Sequence, residues 1–322
     1  MLNLTDLRQK ADKQLDFAAY SPRQLVLIHT AVSLGASLVL SLINLLFASM
    51  IENTGGLSGL GMRSMLETAQ AVIEMAVTAA LPFWNISLTY AALCWARGKL
   101  AEPPSLLAGF RNFRSILGMY LLEFFLFFAV TIVISYIGSA VFMLTPFAEP
   151  LIEIYDSLMQ QSSILSPDAF TEETIAQVMA AGKPLFIFSG ILFAAVAIPL
   201  WYRIRFADFA VMDGCRGRVS LLESIRITRK KCLQIFKIDL SFWWFYLLQA
   251  LSVALCYGGS ILPALGVSLP MSPEAAYVAF MALGRVCQGA LLWFYQAKVS
   301  VTYALAYETL TAESEWKIVK EQ

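Results

Sequence analysis

The side chains best suited to chemistry in this sequence are polar groups set at helical spacing inside long apolar runs. Gln70, Glu74, Thr78, Asn85 and Thr89 fall within a narrow arc at about 100° per residue. Arg285, Gln288, Tyr295, Gln296 and Thr302 share a second arc, with Lys298 at its edge. Polar groups are costly in hydrocarbon, so two such stripes facing each other would line a path for a polar solute. The same stripes also suit interhelical hydrogen bonding, worth about 0.6–2 kcal/mol per contact. The candidate path comprises Glu74, Thr78, Asn85, Thr89, Arg285, Gln288 and Gln296.

Depth along the helices suggests charge pairs. At 1.5 Å per residue, Glu74 and Arg285 both lie about 30 Å from the basic end of their runs. Glu123 and Lys298 each lie about nine residues, roughly 13 Å, from that end. An isolated charge there costs about 2.5–3.5 kcal/mol on insertion scales, so Glu123 and Lys298 form a candidate pair. Ser33, Ser37 and Ser41 make a small-residue ridge beside His29 and Asn44, suited to helix packing, with a proton relay through His29 as the alternative.

Ordinary enzyme signatures are missing from the sequence. It contains no Gly-x-Ser-x-Gly elbow and no His-Glu-x-x-His. One histidine makes a His/Cys zinc or iron site implausible. Five cysteines without a C-x-x-C pair read as buried thiols rather than disulfides. The expectation is therefore no catalytic residue, no cofactor and no metal. A lipid enzyme using Glu74, Glu123 or Asp239 is a weaker alternative.

These residues need long apolar elements to hold them. Of the 322 residues, 58% are hydrophobic and only 14% are charged, against roughly 25% charged in a soluble domain. A membrane helix needs about 20 mainly apolar residues. Six stretches qualify, approximately 25–51, 68–95, 117–144, 184–202, 236–262 and 275–307. The first is too long for a signal-peptide core and reads as a retained anchor. The fold class expected is all-α: a single polytopic membrane helix bundle of six spans over residues 1–322.

Lysine and arginine orient the bundle. They crowd the N-terminal segment 1–24, the second connection, the fourth connection 203–235 and the tail 308–322, while the opposite side offers only Arg63 and Lys183. Positive residues favour the cytoplasm, so both termini are expected there. The connection 145–183 is then external. Its six carboxylates and the helical spacing of Ile152, Tyr155 and Met159, then Ile175, Val178 and Met179, predict two short helices forming a solvated acidic cap. Asp168 and Thr171, ahead of Glu172 and Glu173, suit the start of the second helix. Gly55, Gly56, Gly59 and Gly61 predict a flexible first external loop.

Two cytoplasmic connections share a pattern. Ser105–Arg114 and Ser220–Arg229 both read Ser-Leu-Leu-x-x-apolar-Arg-x-x-Arg and both run into a span. With a weaker copy before the first span, they suggest three units of interfacial helix plus hairpin. Ser220-Leu221-Leu222-Glu223 reads as a capping box. The basic amphipathic helix after it suits the headgroup region, with Arg111, Arg114, Arg226, Arg229, Lys230 and Lys231 as candidate contacts to anionic lipid. Their place at the bilayer face argues against nucleic acid.

Several motifs carry a resemblance. Leu7-Arg8, Ala11 and Leu15 before the first span, then Tyr202, Asp213 and Ser224, then Phe236, Leu240-Ser241-Phe242 and Trp244 are similar to the bacterial integral membrane family catalogued as domain of unknown function 975. The ending Tyr303-Ala304-Leu305-Ala306-Tyr307-Glu308-Thr309-Leu310 resembles that family's closing aromatic-Tyr-Glu-x-Leu. The resemblance implies a multi-pass bacterial membrane protein and brings no catalytic residues with it. It fits poorly at the acidic connection and at 262–276. The function expected is a non-enzymatic membrane scaffold or assembly component on anionic lipid. The alternative is a transporter or flippase-like carrier with a polar path between the second and sixth spans.

Overall fold

The structure, a computed structural model, describes residues 3–16, 21–53, 59–160, 172–264, 267, 270 and 272–321. All regular structure among them is helical. The helices are α1 (Leu4–Asp16), α2 (Pro22–Asn53), α3 (Gly59–Ala96), α4 (Ala108–Arg111), α5 (Phe113–Phe142), α6 (Glu149–Gln160) and α7 (Glu172–Ile204). They continue as α8 (Ala207–Met212), α9 (Gly217–Ile227), α10 (Cys232–Ser241), α11 (Trp243–Cys256), α12 (Gly258–Ala264) and α13 (Pro273–Glu321). Short 3-10 turns cover Pro103–Leu107 and Pro146–Ala148. Among the described residues five helices are long and apolar enough to cross a membrane, and a sixth span arises if α10 and α11 are counted together. The chain is thus an all-α polytopic membrane protein.

That sixth span is not a straight rod. α10 and α11 bend by 64° at their junction, where Phe242 has left the helical conformation and is fully buried. Composition alone made 236–262 look continuous, because the break replaces an apolar residue with no Gly or Pro signal.

The chain divides into two compact units, residues 120–205 and the rest. In the first, α5 and α7 form a hairpin. Gly138 lets them approach, since a Cβ there would lie 3.0 Å from the Ser189 hydroxyl, and Phe127 meets Trp201 with ring centroids 6.4 Å apart. The expected second acidic helix is instead the opening of α7, which runs unbroken from Glu172 into the span. Asp168 and Thr171 lie outside the described residues, as do Gly55 and Gly56. Gly59 and Gly61 belong to α3 rather than to a loop.

In the second unit, α13 packs against α1, α2, α3, α11 and α12. Glycines permit the close crossings, as is usual where lipid removes the hydrophobic drive between helices. A Cβ at Gly284 would lie 2.5 Å from the Cys256 sulfur, and one at Gly259 2.6 Å from the Tyr277 backbone. Burial concentrates at the C-terminal end of α3 and over residues 297–310 of α13. Ala91, Leu93, Trp95, Val301, Ala304 and Leu310 are sealed there beneath the short helices α1, α8, α9 and α10. Outward-facing Leu38, Leu42 and Leu46 of α2 are exposed, as lipid-facing residues should be.

The two repeat copies dock through their fifth position. At Gly109 a Cβ would lie 1.8 Å from the Phe83 carbonyl oxygen, so α4 rests directly on α3. The Gly109 N–H donates to Ser87 Oγ at 2.9 Å. In the other copy Ser224 Oγ accepts the Phe206 N–H at 3.1 Å. The capping box does not form. α9 begins at Gly217, earlier than the pattern suggests, and Ser220 donates to the Gly217 carbonyl from inside the helix. Gly217 is needed there because a Cβ would sit 2.1 Å from the Ser115 carbonyl oxygen.

Candidate functional site

The densest polar structure lies where the ends of α3 and α8 meet α13. α3 stops with Gly98 at φ +64°, where Lys99 N–H donates to the Cys94 carbonyl at 2.7 Å and Gly98 N–H to Trp95 at 3.0 Å. α8 stops the same way at Gly214, φ +99°, with Cys215 N–H on Ala210 at 3.0 Å. This termination uses a glycine in the left-handed region just past the last helical residue. It fixes Arg97 and Asp213 on the two helix rims. Their charges meet at 2.6 Å between Nη1 and Oδ1.

α13 completes the junction. Glu308 Oε1 accepts from both Nε and Nη2 of Arg97 at 2.6 Å, and the Tyr307 hydroxyl donates to Asp213 Oδ2 at 3.4 Å. The Arg97 guanidinium thus bridges two carboxylates from different helices, a geometry lysine cannot reproduce. Its bond to Asp213, with that to Glu308, outweighs desolvation and raises its pKa above the ordinary arginine value. Cys215, beside this junction, has its thiol pKa pushed up by burial and then by the charges of Glu223 and Asp213.

Further along α13 the pattern repeats with other partners. Asp239 of α10 accepts from the Tyr246 hydroxyl at 2.9 Å and from that of Tyr303. Lys298 sits on both oxygens of Asp12, 2.7 and 2.8 Å away. Lys231 meets Glu313 at 2.9 Å. One helix therefore supplies a polar partner to α1, α3 and α10 and to the turn before α10. Arg8 of α1 lies over the Phe242 ring at 5.1 Å. Residues quoted for the family resemblance, Arg8, Asp213, Ser224, Phe242, Tyr303, Tyr307 and Glu308, all gather in this layer.

Residues expected to form a path make their bonds within their own helices. Glu74 accepts from Gln70 at 3.2 Å, Arg285 donates to Gln288 at 3.2 Å, and Gln296 donates to Ser300 at 3.3 Å, each within its own helix. Thr78 and Asn85 are exposed and Thr89 is half-buried. Among the described residues no hydrogen bond or ion pair joins the two stripes, and Glu74 and Arg285 are not paired. Lys298 takes Asp12 where depth suggested Glu123, because α1 folds its acidic face back onto α13. Glu123 lies on α5, in the 120–205 unit. His29 stacks on Trp84 at 5.4 Å, and the indole N–H donates to its backbone carbonyl. Its Nε2 has no partner among the described residues. Ser33, Ser37 and Ser41 each donate to the carbonyl four residues back.

Of the candidate lipid contacts, Arg111, Arg114, Arg229 and Lys230 are exposed, whereas Arg226 is drawn onto Glu223 and Lys231 onto Glu313. The single amphipathic helix expected there is two helices, broken by a turn in which Lys230 takes φ +63°. A cleft of about 640 Å³ opens between α1, α2 and α13. No group of three metal-ligating side chains forms among the described residues. The chain matches no family model, no curated protein and no solved structure.

Proposed function

We propose that this chain is a non-enzymatic component of a bacterial plasma membrane, with both termini cytoplasmic. Its inner face binds anionic lipid and serves as a platform on which other membrane components assemble. The observation that carries this reading is the sorting of the basic residues. Arg97, Arg226, Lys231 and Lys298 are paired with carboxylates of the chain, while Arg111, Arg114, Arg229 and Lys230 are exposed, on the short helices and turns that border the spans and, for Arg114, in the first turn of α5. Exposed basic residues at this depth gain about 1 kcal/mol each from an anionic leaflet. The self-contained hydrogen bonds of the two polar stripes favour a packing role for them over a solute path. The resemblance to the domain of unknown function 975 family supports the multi-pass bacterial setting.

The test is retention of phosphatidylglycerol against phosphatidylcholine by the purified full chain, read by native mass spectrometry. Phosphatidylglycerol should be preferred. Replacing Arg111, Arg114, Arg229 and Lys230 together by Gln should remove the preference without unfolding the protein. Equal retention of both lipids by the unmodified chain would sink the lipid reading. Net solute flux in reconstituted vesicles, abolished by Glu74→Gln or Gln296→Leu, would replace it with a carrier.

A further inference from the structure

The cleft between α1, α2 and α13 has its own charge pattern, separate from the basic face. It is lined by Asp12, Asp16, Arg23, Phe294 and Lys298, among others. Its volume of about 640 Å³ falls in the range of small-molecule sites. Within it Lys298 and Asp12 neutralise each other through the two-oxygen contact already described. That leaves one carboxylate, Asp16, and one guanidinium, Arg23, neither of which makes an ion pair or hydrogen bond among the described residues. They do not pair with each other, although they line the same cleft.

A simple anion would satisfy Arg23 and meet repulsion from Asp16. A simple cation would do the reverse. Both side chains are exposed at the cleft, and the complementary ligand carries one charge of each sign and an apolar continuation. Arg23 stands at the start of α2, where that helix enters the apolar region, and Phe294 offers a ring that is 51% exposed beside the charges. Lipid phosphates lie at this level, and an aromatic flank suits the boundary between headgroup and chain.

We propose that this cleft binds the headgroup of a zwitterionic aminophospholipid, with the primary ammonium on Asp16, the phosphate on Arg23 and the glycerol end against Phe294. The primary amine matters. It has three N–H donors for a carboxylate, whereas a quaternary ammonium has none, so the site discriminates ethanolamine from choline headgroups. The inference rests on the chain lying in a bilayer, and it concerns a different lipid class and different residues from the basic face.

The full chain in detergent is offered equal amounts of phosphatidylethanolamine, phosphatidylcholine and phosphatidylglycerol, and retained lipid is counted by native mass spectrometry. Phosphatidylethanolamine should exceed phosphatidylcholine by about tenfold, the scale of one charge-assisted hydrogen bond. Asp16→Asn should erase that ratio and leave phosphatidylglycerol retention unchanged. Arg23→Gln should lower both zwitterionic lipids. Replacing the four exposed basic residues should spare the ethanolamine preference. An ethanolamine preference without a glycerol preference supports the cleft and overturns only the basic-face reading. Equal retention of ethanolamine and choline lipids overturns the cleft proposal, and so does a preference that survives Asp16→Asn. As a check independent of variant folding, a photoactivatable phosphatidylethanolamine should crosslink to α13 near Phe294. Crosslinks confined to other helices overturn the proposal.

Discussion

Arg97 ties three helices together at the polar junction. Its five N–H groups reach carboxylates on α8 and α13, and hydrogen bonds to charged partners contribute about 1.5–3 kcal/mol when removed. The group is about one-third exposed, which reduces that figure through screening. Arg97→Gln should therefore cost about 1–3 kcal/mol in thermal or denaturant unfolding. Arg97→Lys should recover only part of the loss, because an ammonium cannot span both carboxylates. In a double-mutant cycle with Glu308→Gln the losses should fall short of additive, and strict additivity would show that the contact contributes nothing. Cys215 gives a pH readout of the same place. Because burial and the neighbouring carboxylates disfavour the thiolate, its alkylation rate should rise with pH at a midpoint above that of an ordinary thiol. Glu223→Gln should move that midpoint down. None of this was legible in the sequence. Arg97 and Glu308 stand 211 positions apart, and each reads locally as a boundary charge. The motif residues Asp213, Tyr307 and Glu308 stood out without their partners, and Arg97-Gly98 and Asp213-Gly214 signalled helix stops whose side chains sit just ahead of a glycine.

At the scale of elements, apolar run length marked the spans well, because lipid imposes a minimum length that composition records directly. It missed the break at Phe242, where the departure from helix involves a buried apolar residue. It also misread α9, since the Ser-x-x-Glu pattern occurs inside a helix that begins earlier at Gly217. What the repeat did signal was contact: its fifth position is small in both copies because another backbone lies against it. Gly109→Ala should then push α4 off α3 and cost about 1–3 kcal/mol or more in thermal unfolding, as overpacking does. Gly118→Ala, where nothing lies within 4 Å of the new carbon, should be neutral or slightly stabilising. Equal behaviour of the two variants would mean that the α3–α4 contact is dispensable.

Across the whole molecule, the asymmetry of lysine and arginine makes a prediction about sides. In a chain whose five native cysteines are replaced, Glu149→Cys should react with an impermeant maleimide from outside intact cells. Arg218→Cys should react only after the membrane is opened. Both positions are exposed, so accessibility does not confound the comparison. The reverse pattern would invert the molecule and place its polar junction outside.

The dependence of so many contacts on α13 also sets an order of events during synthesis. Asp12, Arg97, Asp213, Lys231 and Asp239 are all made before the helix that carries their partners Lys298, Tyr303, Tyr307, Glu308 and Glu313. Until that helix emerges, Asp12 and Lys231 lack these partners, while Arg97 and Asp213 have each other but not Glu308 and Tyr307. A stop codon at position 298 should thus yield a protein that inserts yet is cleared rapidly, measurable as a shortened half-life in a pulse–chase experiment. Supplying residues 273–322 as a separate polypeptide should lengthen that half-life, and failure to do so would separate the polar junction from quality control. On this view α13 acts as a clasp, and its arrival closes the contacts that the earlier helices leave open.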